Sequence, residues 1–240
     1  MPTRALWHGA LMDTDPTART DSPGSPADPE RVAVKRALRT QLRARRRELY
    51  GTTEGARRRE REGQQLLEHA APLLEMIATA AARSARDGSA PVRVSAFHPT
   101  PTEADVMPLA AALARSGAEV LFPVAAGREL DWAVWDGSSP FMDSPGRGFG
   151  KEPEGPRRGT DALSQVSLIL APALAVDRSG TRLGHGGGYY DRALRHAPEE
   201  ARIIAVINPD DLLPTGTLPR DAHDVPVPEV LTAAGLEQLG

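Results

Sequence analysis

Residues 166–194 read VSLILAPALAVDRSGTRLGHGGGYYDRAL, and three signals follow one another along them. VSLILAPALAV is a long apolar run, which predicts a buried central strand. Gly184, Gly186, Gly187 and Gly188 then crowd five positions. From Tyr189 the pattern predicts a helix to about His196. Buried strand, glycine turn and helix start together make the junction at which α/β sheets hold their ligands.

Working outward, the neighbouring segments repeat the strand–helix alternation. RVAVKRALRTQLRARRREL (31–49) sets Val34, Leu38 and Leu42 at helical spacing, with Leu49 one heptad on. A second helix is expected from Glu54 to about Arg83, bent at Pro72, with Leu66, Leu67, Leu73, Leu74 and Ile77 as core. PVRVSAF, AEVLFPV, ELDWAVW and ARIIAVI read as strands, and EADVMPLAAALARSG as a helix ending at Gly117. Ser138 to Gly159 reads as a Gly/Pro-rich loop, and DVPVPEVLT as a last extended piece. The expected fold class is α/β, a three-layer α/β/α sandwich with a largely parallel or mixed central sheet. Residues 31–240 are expected to form one domain. Residues 1–30, rich in Asp, Pro, Ser and Thr without apolar periodicity, read as a disordered tail that a start codon placed too early would also produce.

Composition removes several classes of function. The 240 residues contain no cysteine, which excludes disulfides, thiolate metal sites and cysteine nucleophiles. A formal charge of −3 gives no electrostatic footprint of a nucleic-acid binder. No apolar run approaches the roughly 20 residues of a membrane span, and the N-terminus makes a poor secretory signal. The expectation is a cytoplasmic protein that binds neither nucleic acid nor membrane, as a monomer or weak homodimer. Of 29 basic residues only Lys35 and Lys151 are lysines, so runs of arginine carry little information here.

Glycines before a helix let the backbone approach a ligand, and a helix N-terminus offers free N–H groups to an anion. Arg182 adds a fixed fork that matches phosphate oxygens. A carboxylate just beyond, Asp191, is placed to hold Mg²⁺. The plainer readings stay open: a turn that packs helix against sheet, and a first-turn carboxylate beside the helix dipole. Neither the dinucleotide fingerprint nor the P-loop pattern fits the spacing, so a phosphate site here is of another type.

RLGHGGGYYDRAL closely resembles the signature of the 5-formyltetrahydrofolate cyclo-ligase family, Arg-Leu-Gly-x-Gly-x-Gly-[Tyr/Phe]-Tyr-Asp. KRALRTQLRARRREL, HPTPTEADVMPL, GFGKEPEGP, LILAPALAVDRSG and LPRDAHDVPVPEVLT are similar, in order, to further family segments, from about Arg31 to Leu231. The resemblance implies an ATP- and Mg²⁺-dependent ligase that converts 5-formyltetrahydrofolate to 5,10-methenyltetrahydrofolate. It implies catalytic roles for Arg182, Tyr189 and Asp191. It implies ATP binding by Lys35, Arg39, Arg182, Gly184, His185, Gly186, Gly187, Gly188, Tyr189 and Tyr190, with Tyr190 packed behind the loop. It assigns His98, Glu103, Trp132 and Tyr189 to the folate substrate, and Asp191 and Asp224 to the metal.

Each assignment has a plainer counterpart. Glu103 suits a helix start, His98 an exposed strand end, Trp132 the core, and Asp224 a turn before Val225-Pro226. In a chain that nearly always uses arginine, a lysine at the family's ATP position suggests a need for a compact charge. Helical steps of 4, 4 and 3 carry the Lys35 face through Arg39 and Arg43 to Arg46, which can reach a phosphate from the same side. Arg43, Arg45 and Arg47 read as a solvated face. Gly187 stands where some members carry a basic residue, and Asp211 where glutamate is common. Two rivals remain: a related protein that binds nucleotide or folate but acts on another substrate or none, and an RNA-binding basic helix over 31–47.

Overall fold

The computed structural model describes residues 28–144, 150–222 and 224–240. The expected tail therefore lies outside the described residues except for its last three, of which Asp28 caps the first helix and Pro29 and Glu30 begin it. Helix α1 (Pro29–Tyr50) starts with proline in its first turn and Asp28 as N-cap, whose carboxylate accepts from the Glu30 N–H at 3.0 Å. Its buried residues are Lys35, Leu42, Arg46 and Tyr50, while Val34, expected in the core, is exposed. Leu38 and Leu42 pack with Leu174, Ala175, Leu183 and Leu218, while Lys35 and Arg39 face a cleft, so the inward stripe is mixed polar and apolar.

The helix expected to bend at Pro72 is two helices, α2 (Thr53–His69) and α3 (Ala71–Asp87), parted at Ala70. Proline has no N–H to give to the preceding turn, so it sits where a helix begins. The same rule moves the start of α4 (Met107–Arg115), which carries Pro108 in its first turn. Glu103, expected inside that helix, is left on the irregular segment ahead of it. Leu66, Leu73 and Ile77 are buried as expected, and Leu67 and Leu74 pack partly buried against the same cluster.

The strands are β1 (Arg93–Ser95), β2 (Glu119–Ala126), β3 (Glu129–Trp135), β4 (Phe141–Asp143), β5 (Lys151–Pro153), β6 (Leu168–Pro172), β7 (Ala175–Asp177), β8 (Arg182–Leu183), β9 (Arg202–Val206), β10 (Leu212–Leu213), β11 (Glu229–Thr232) and β12 (Gly235–Gln238). Seven of them form one sheet in the order β12-β11-β9-β6-β1-β2-β3. The five inner strands run parallel, and β3 and β12 close the edges antiparallel. The expected loop from Ser138 to Gly159 contains the β4–β5 hairpin.

The apolar run 166–176 is not one strand. It divides after Pro172 into β6, at the middle of the large sheet, and β7, in a small sheet ordered β10-β7-β8. Pro172 cannot donate to a continuing ladder, and the chain changes sheet there. Side chains alternate across the large sheet. Val94, Val120, Leu168, Leu170, Ile204 and Val206 join Leu66, Leu73, Ile77, Leu109 and Leu113 of α2, α3 and α4. Leu121, Ile169 and Ala171 meet Trp132, Leu163, Ala193 and Leu194 on the opposite side. That second layer contains α5 (Tyr189–Ala193), which tightens into a 3₁₀ turn at Leu194–His196. The expected helix from Tyr189 to His196 is thus five α-helical residues and one tighter turn, so its aligned peptide dipole is short.

Candidate active site

Helix α1, the segment between β1 and α4, the end of β6, the β7–β8 hairpin, the glycine run and the stretch around Asp221 and Asp224 converge on a cleft of about 690 Å³. That volume suits a nucleotide-sized or drug-sized ligand. The glycine loop is tied to α1 at two successive carbonyls. Arg39 Nε donates to the Gly184 oxygen and Arg43 Nη2 to the His185 oxygen, each at 2.9 Å. Gly186 (φ +107°) and Gly188 (φ +67°) lie in the left-handed region, where a β-carbon is strained. The loop needs glycine there to turn back into α5.

Two ion-pair groups occupy this side of the cleft. Lys35, 7% exposed, places Nζ 2.6 Å from Asp221 Oδ2 and beside Asp224 Oδ2. Arg182 has a side chain only 2% exposed; Nη2 donates to Asp191 Oδ1 and Nη1 to the Pro172 oxygen at 3.3 Å. Its Nε is buried without a partner among the described residues.

Across the cleft, Glu103 is buried. Its Oε2 accepts the Thr100 N–H at 2.7 Å, and Oε1 lies 2.7 Å from His185 Nε2 and 3.9 Å from Arg46 Nη1. Burial would raise this carboxyl. The His185 bond and charge, the Thr100 N–H and Arg46 outweigh it and hold Glu103 below the usual carboxylate range. An ionised carboxylate only accepts, so His185 Nε2 carries the proton of that bond. His98 stacks tilted on Phe141 with centroids 4.7 Å apart. Burial first, then Lys151 and Arg59, push its imidazole below the usual range.

Tyr189 and Arg192 fasten α5 to the turn between β2 and β3. The Tyr189 hydroxyl donates to the Gly127 oxygen at 3.1 Å, and Arg192 Nε to the Arg128 oxygen at 2.9 Å. The Arg192 guanidinium also lies 5.0 Å from the Tyr189 ring centroid. Tyr190 has a buried hydroxyl with no partner among the described residues, and burial pushes its phenol up.

With this geometry in view, comparison with known proteins is decisive. The model of the 5-formyltetrahydrofolate cyclo-ligase family matches residues 31–233. The chain belongs to the 5-formyltetrahydrofolate cyclo-ligase family. It is 38% identical over 145 residues to the 5-formyltetrahydrofolate cyclo-ligase of Mycolicibacterium smegmatis, covering 58% of this chain and 72% of that one. It is 33% identical over 134 residues to the Escherichia coli K12 cyclo-ligase, covering 54% and 71%. The NMR structure of Aquifex aeolicus 5,10-methenyltetrahydrofolate synthetase matches with TM-score 0.64 and 26% identity, over 86% of this chain and 93% of that one. The Mycoplasma pneumoniae synthetase, 18% identical with TM-score 0.57, shares the fold.

In this cyclo-ligase family member, the cleft collects nearly every residue singled out from sequence. Lys35, Arg39, His98, Glu103, Arg182, Gly184, His185, Gly186, Gly187, Gly188, Tyr189, Tyr190, Asp191 and Asp224 all line it. Trp132 does not. It is fully buried in the second layer and meets Tyr190 edge-on at 6.2 Å, so it supports a cleft residue from behind instead of forming a slot. Arg46, expected on the phosphate side, is turned into the protein. Its Nη2 caps the Ala173 and Leu174 oxygens and its Nε meets Asp211 Oδ2 at 3.0 Å. Arg43, read as a solvated face, is a cleft residue.

Sequence reasoning missed Phe97, Pro123, Asp221, Arg192 and Arg195, which also line the cleft. Asp221 had a signal, a second carboxylate three residues before Asp224. Arg192 had one too, since it lies inside the YYDRAL string. His223 of the His-Asp segment and residues 145–149 lie outside the described residues.

Proposed function

We propose that this chain converts 5-formyltetrahydrofolate and ATP to 5,10-methenyltetrahydrofolate, ADP and phosphate, with Mg²⁺, in a cytoplasmic setting. The observation that carries the reading is the two-sided cleft: a buried, ionised Glu103 on one wall, and the glycine loop with Lys35, Arg39, Asp191 and Asp224 on the other. The first wall suits the N–H groups of a pteridine. The second suits a triphosphate, with main-chain N–H groups and cations around it.

The chemistry asks for positioning and charge neutralisation, not a protein nucleophile. The N5-formyl oxygen attacks the γ-phosphorus and the bond to ADP breaks. This leaves an N5-iminium carrying a phosphate ester. N10 then adds to that carbon and loses its proton, and phosphate departs with its C–O bond electrons to leave the methenyl bridge. Glu103 fixes the pteridine so that N10 faces the formyl carbon. Arg39 holds the glycine loop against α1, and Lys35 supplies a compact charge to the phosphates once Asp221 and Asp224 release it. Arg182 steadies Asp191 from behind.

The donor set fits a hard cation that arrives with the nucleotide. Among the described residues no cluster of three or more His, Cys, Asp or Glu could hold a metal by itself. Asp191 and Asp224 would hold Mg²⁺ together with phosphate and water oxygens. When bound, the ion neutralises charge on the phosphates.

The test is direct. Purified protein with 5-formyltetrahydrofolate, ATP and Mg²⁺ should form methenyltetrahydrofolate, followed by its near-ultraviolet absorbance, and none without ATP. A folded protein that binds ATP and makes no product would overturn the substrate assignment while keeping the nucleotide loop.

A further inference from the structure

The contact between His185 and Glu103 joins the two walls of the cleft. His185 stands in the glycine run, and Glu103 lies 82 residues earlier on the segment before α4. The imidazole is 45% exposed and covers a carboxylate whose side chain is 7% exposed. Of the two Glu103 side-chain oxygens, one takes the Thr100 N–H and the other takes His185, with Arg46 Nη1 3.9 Å away, while Arg59 Nε donates to the Glu103 backbone oxygen at 2.6 Å. Thr100 and Arg46 belong to the fixed frame, because Arg46 is pinned by Asp211 and by the Ala173 and Leu174 oxygens. His185 is held differently. Its own backbone oxygen is gripped by Arg43, and the left-handed Gly186 and Gly188 follow it. Of the partners of the buried carboxylate, His185 is thus the one that belongs to the glycine loop on the phosphate side.

We propose that His185 is a coupling residue that caps Glu103, as their 2.7 Å contact shows, and surrenders it when the glycine loop closes on a nucleotide's phosphates. This rests on the function proposed above. A pteridine N–H that binds Glu103 competes with the imidazole for the same oxygen. A nucleotide that draws the loop inward lifts the imidazole away and exposes the anchor. By linkage each substrate then strengthens the binding of the other by the same factor. His185 is a positioning residue for the order of binding; the reacting atoms do not touch it.

The test is equilibrium binding of 5-formyltetrahydrofolate to the full chain, by calorimetry, with and without a non-hydrolysable ATP analogue and Mg²⁺. In the wild type the analogue should tighten folate binding about five- to tenfold, within the usual range of coupling between sites. His185→Gly removes the cap at an exposed loop position. It should bind folate several-fold more tightly without nucleotide, and the analogue's effect should shrink toward onefold. His185→Gln, which can still donate to Glu103, should restore part of the coupling.

A coupling factor that His185→Gly leaves unchanged would overturn the proposal. So would weaker folate binding by that variant in both conditions, because His185 would then be a plain contact. The turnover assay separates the two readings. A wild-type enzyme that forms methenyltetrahydrofolate without coupled binding sinks the cap alone. A wild type that neither binds folate nor turns it over sinks both.

Discussion

Arg46 and Asp211 meet across 165 residues of chain, Nε to Oδ2 at 3.0 Å, with each side chain 3% exposed. The pair also receives Asn208, whose Nδ2 donates to the same Asp211 oxygen at 2.9 Å and to the Thr102 oxygen at 3.1 Å. Arg46 thereby joins α1, which lines the cleft, to the β6–β7 break and to the turn after β9. Arg46→Ala would strand a buried carboxylate and the Ala173 and Leu174 carbonyls. Breaking one partner of a buried pair typically costs about 3–5 kcal/mol, and urea denaturation should show a loss of this order. A midpoint unchanged from wild type would show that the pair does not hold the frame.

Asp191→Asn should reduce turnover at least about a hundredfold, the scale of losing one electrostatic group at a reacting phosphate. The structure adds a second consequence. Arg182 is buried against Asp191, so the amide leaves it without a counter-charge. A stability loss of about 1–3 kcal/mol is expected alongside the lost turnover, read by thermal unfolding of the variant beside wild type. Wild-type turnover with Mg²⁺ present would remove Asp191 from the mechanism.

Lys35→Ala should raise the KM for ATP by about tenfold or more, the worth of one charge-assisted hydrogen bond, and move the KM for folate less. Asp221 and Asp224 would then face each other without the ammonium between them. Lys35→Arg is expected to recover little, because a planar fork does not replace a compact charge between two carboxylates. Initial rates over a grid of both substrates give the answer; equal changes in both KM values would reject a phosphate role for Lys35.

Acid stability should depend on Asp177. This buried carboxylate accepts from the Ser179 N–H and Oγ, the Thr181 N–H and the Leu218 N–H at 2.6–3.2 Å. Burial would raise its pKa, and these donors, Ser179 first, outweigh burial and hold it below the usual range. A carboxyl depressed in the folded state stabilises the fold above its unfolded pKa of about 3.9, and that contribution is lost as pH falls through the folded value. Wild type should therefore lose stability below about pH 4 more steeply than Asp177→Asn, which is less stable at neutral pH. Parallel stability curves for the two proteins between pH 2 and 7 would contradict this.

The sheet and the cleft were legible in the sequence for a common reason. Alternating Val, Ile and Leu in ARIIAVI and AEVLFPV, and the glycine–tyrosine–aspartate string, are local patterns that local physics sets. What was missed depended on partners distant in sequence. Nothing near Arg46 tells it from Arg43, yet one turns inward to Asp211 and the other grips the loop. Val34 had the right spacing, but α1 turns Leu38 and Leu42, not Val34, onto the core it covers. Trp132 looked like a slot residue because an aromatic was needed, and the sheet's second layer took it first. The break after Pro172 was readable, since proline cannot continue a central strand, but the apolar letters on both sides hid it.

Tyr189 and Arg192 of α5 grip the turn between β2 and β3 through main-chain oxygens, those of Gly127 and Arg128. Gly127 has φ +65° and is confined to glycine by its own backbone, whereas nothing in these contacts reads the side chain of residue 128. Evolution can therefore rewrite residue 128 freely, but cannot lengthen or shorten the turn without carrying the tyrosine and the start of α5 along with it. Among relatives, hairpin length rather than hairpin spelling should travel with the glycine string.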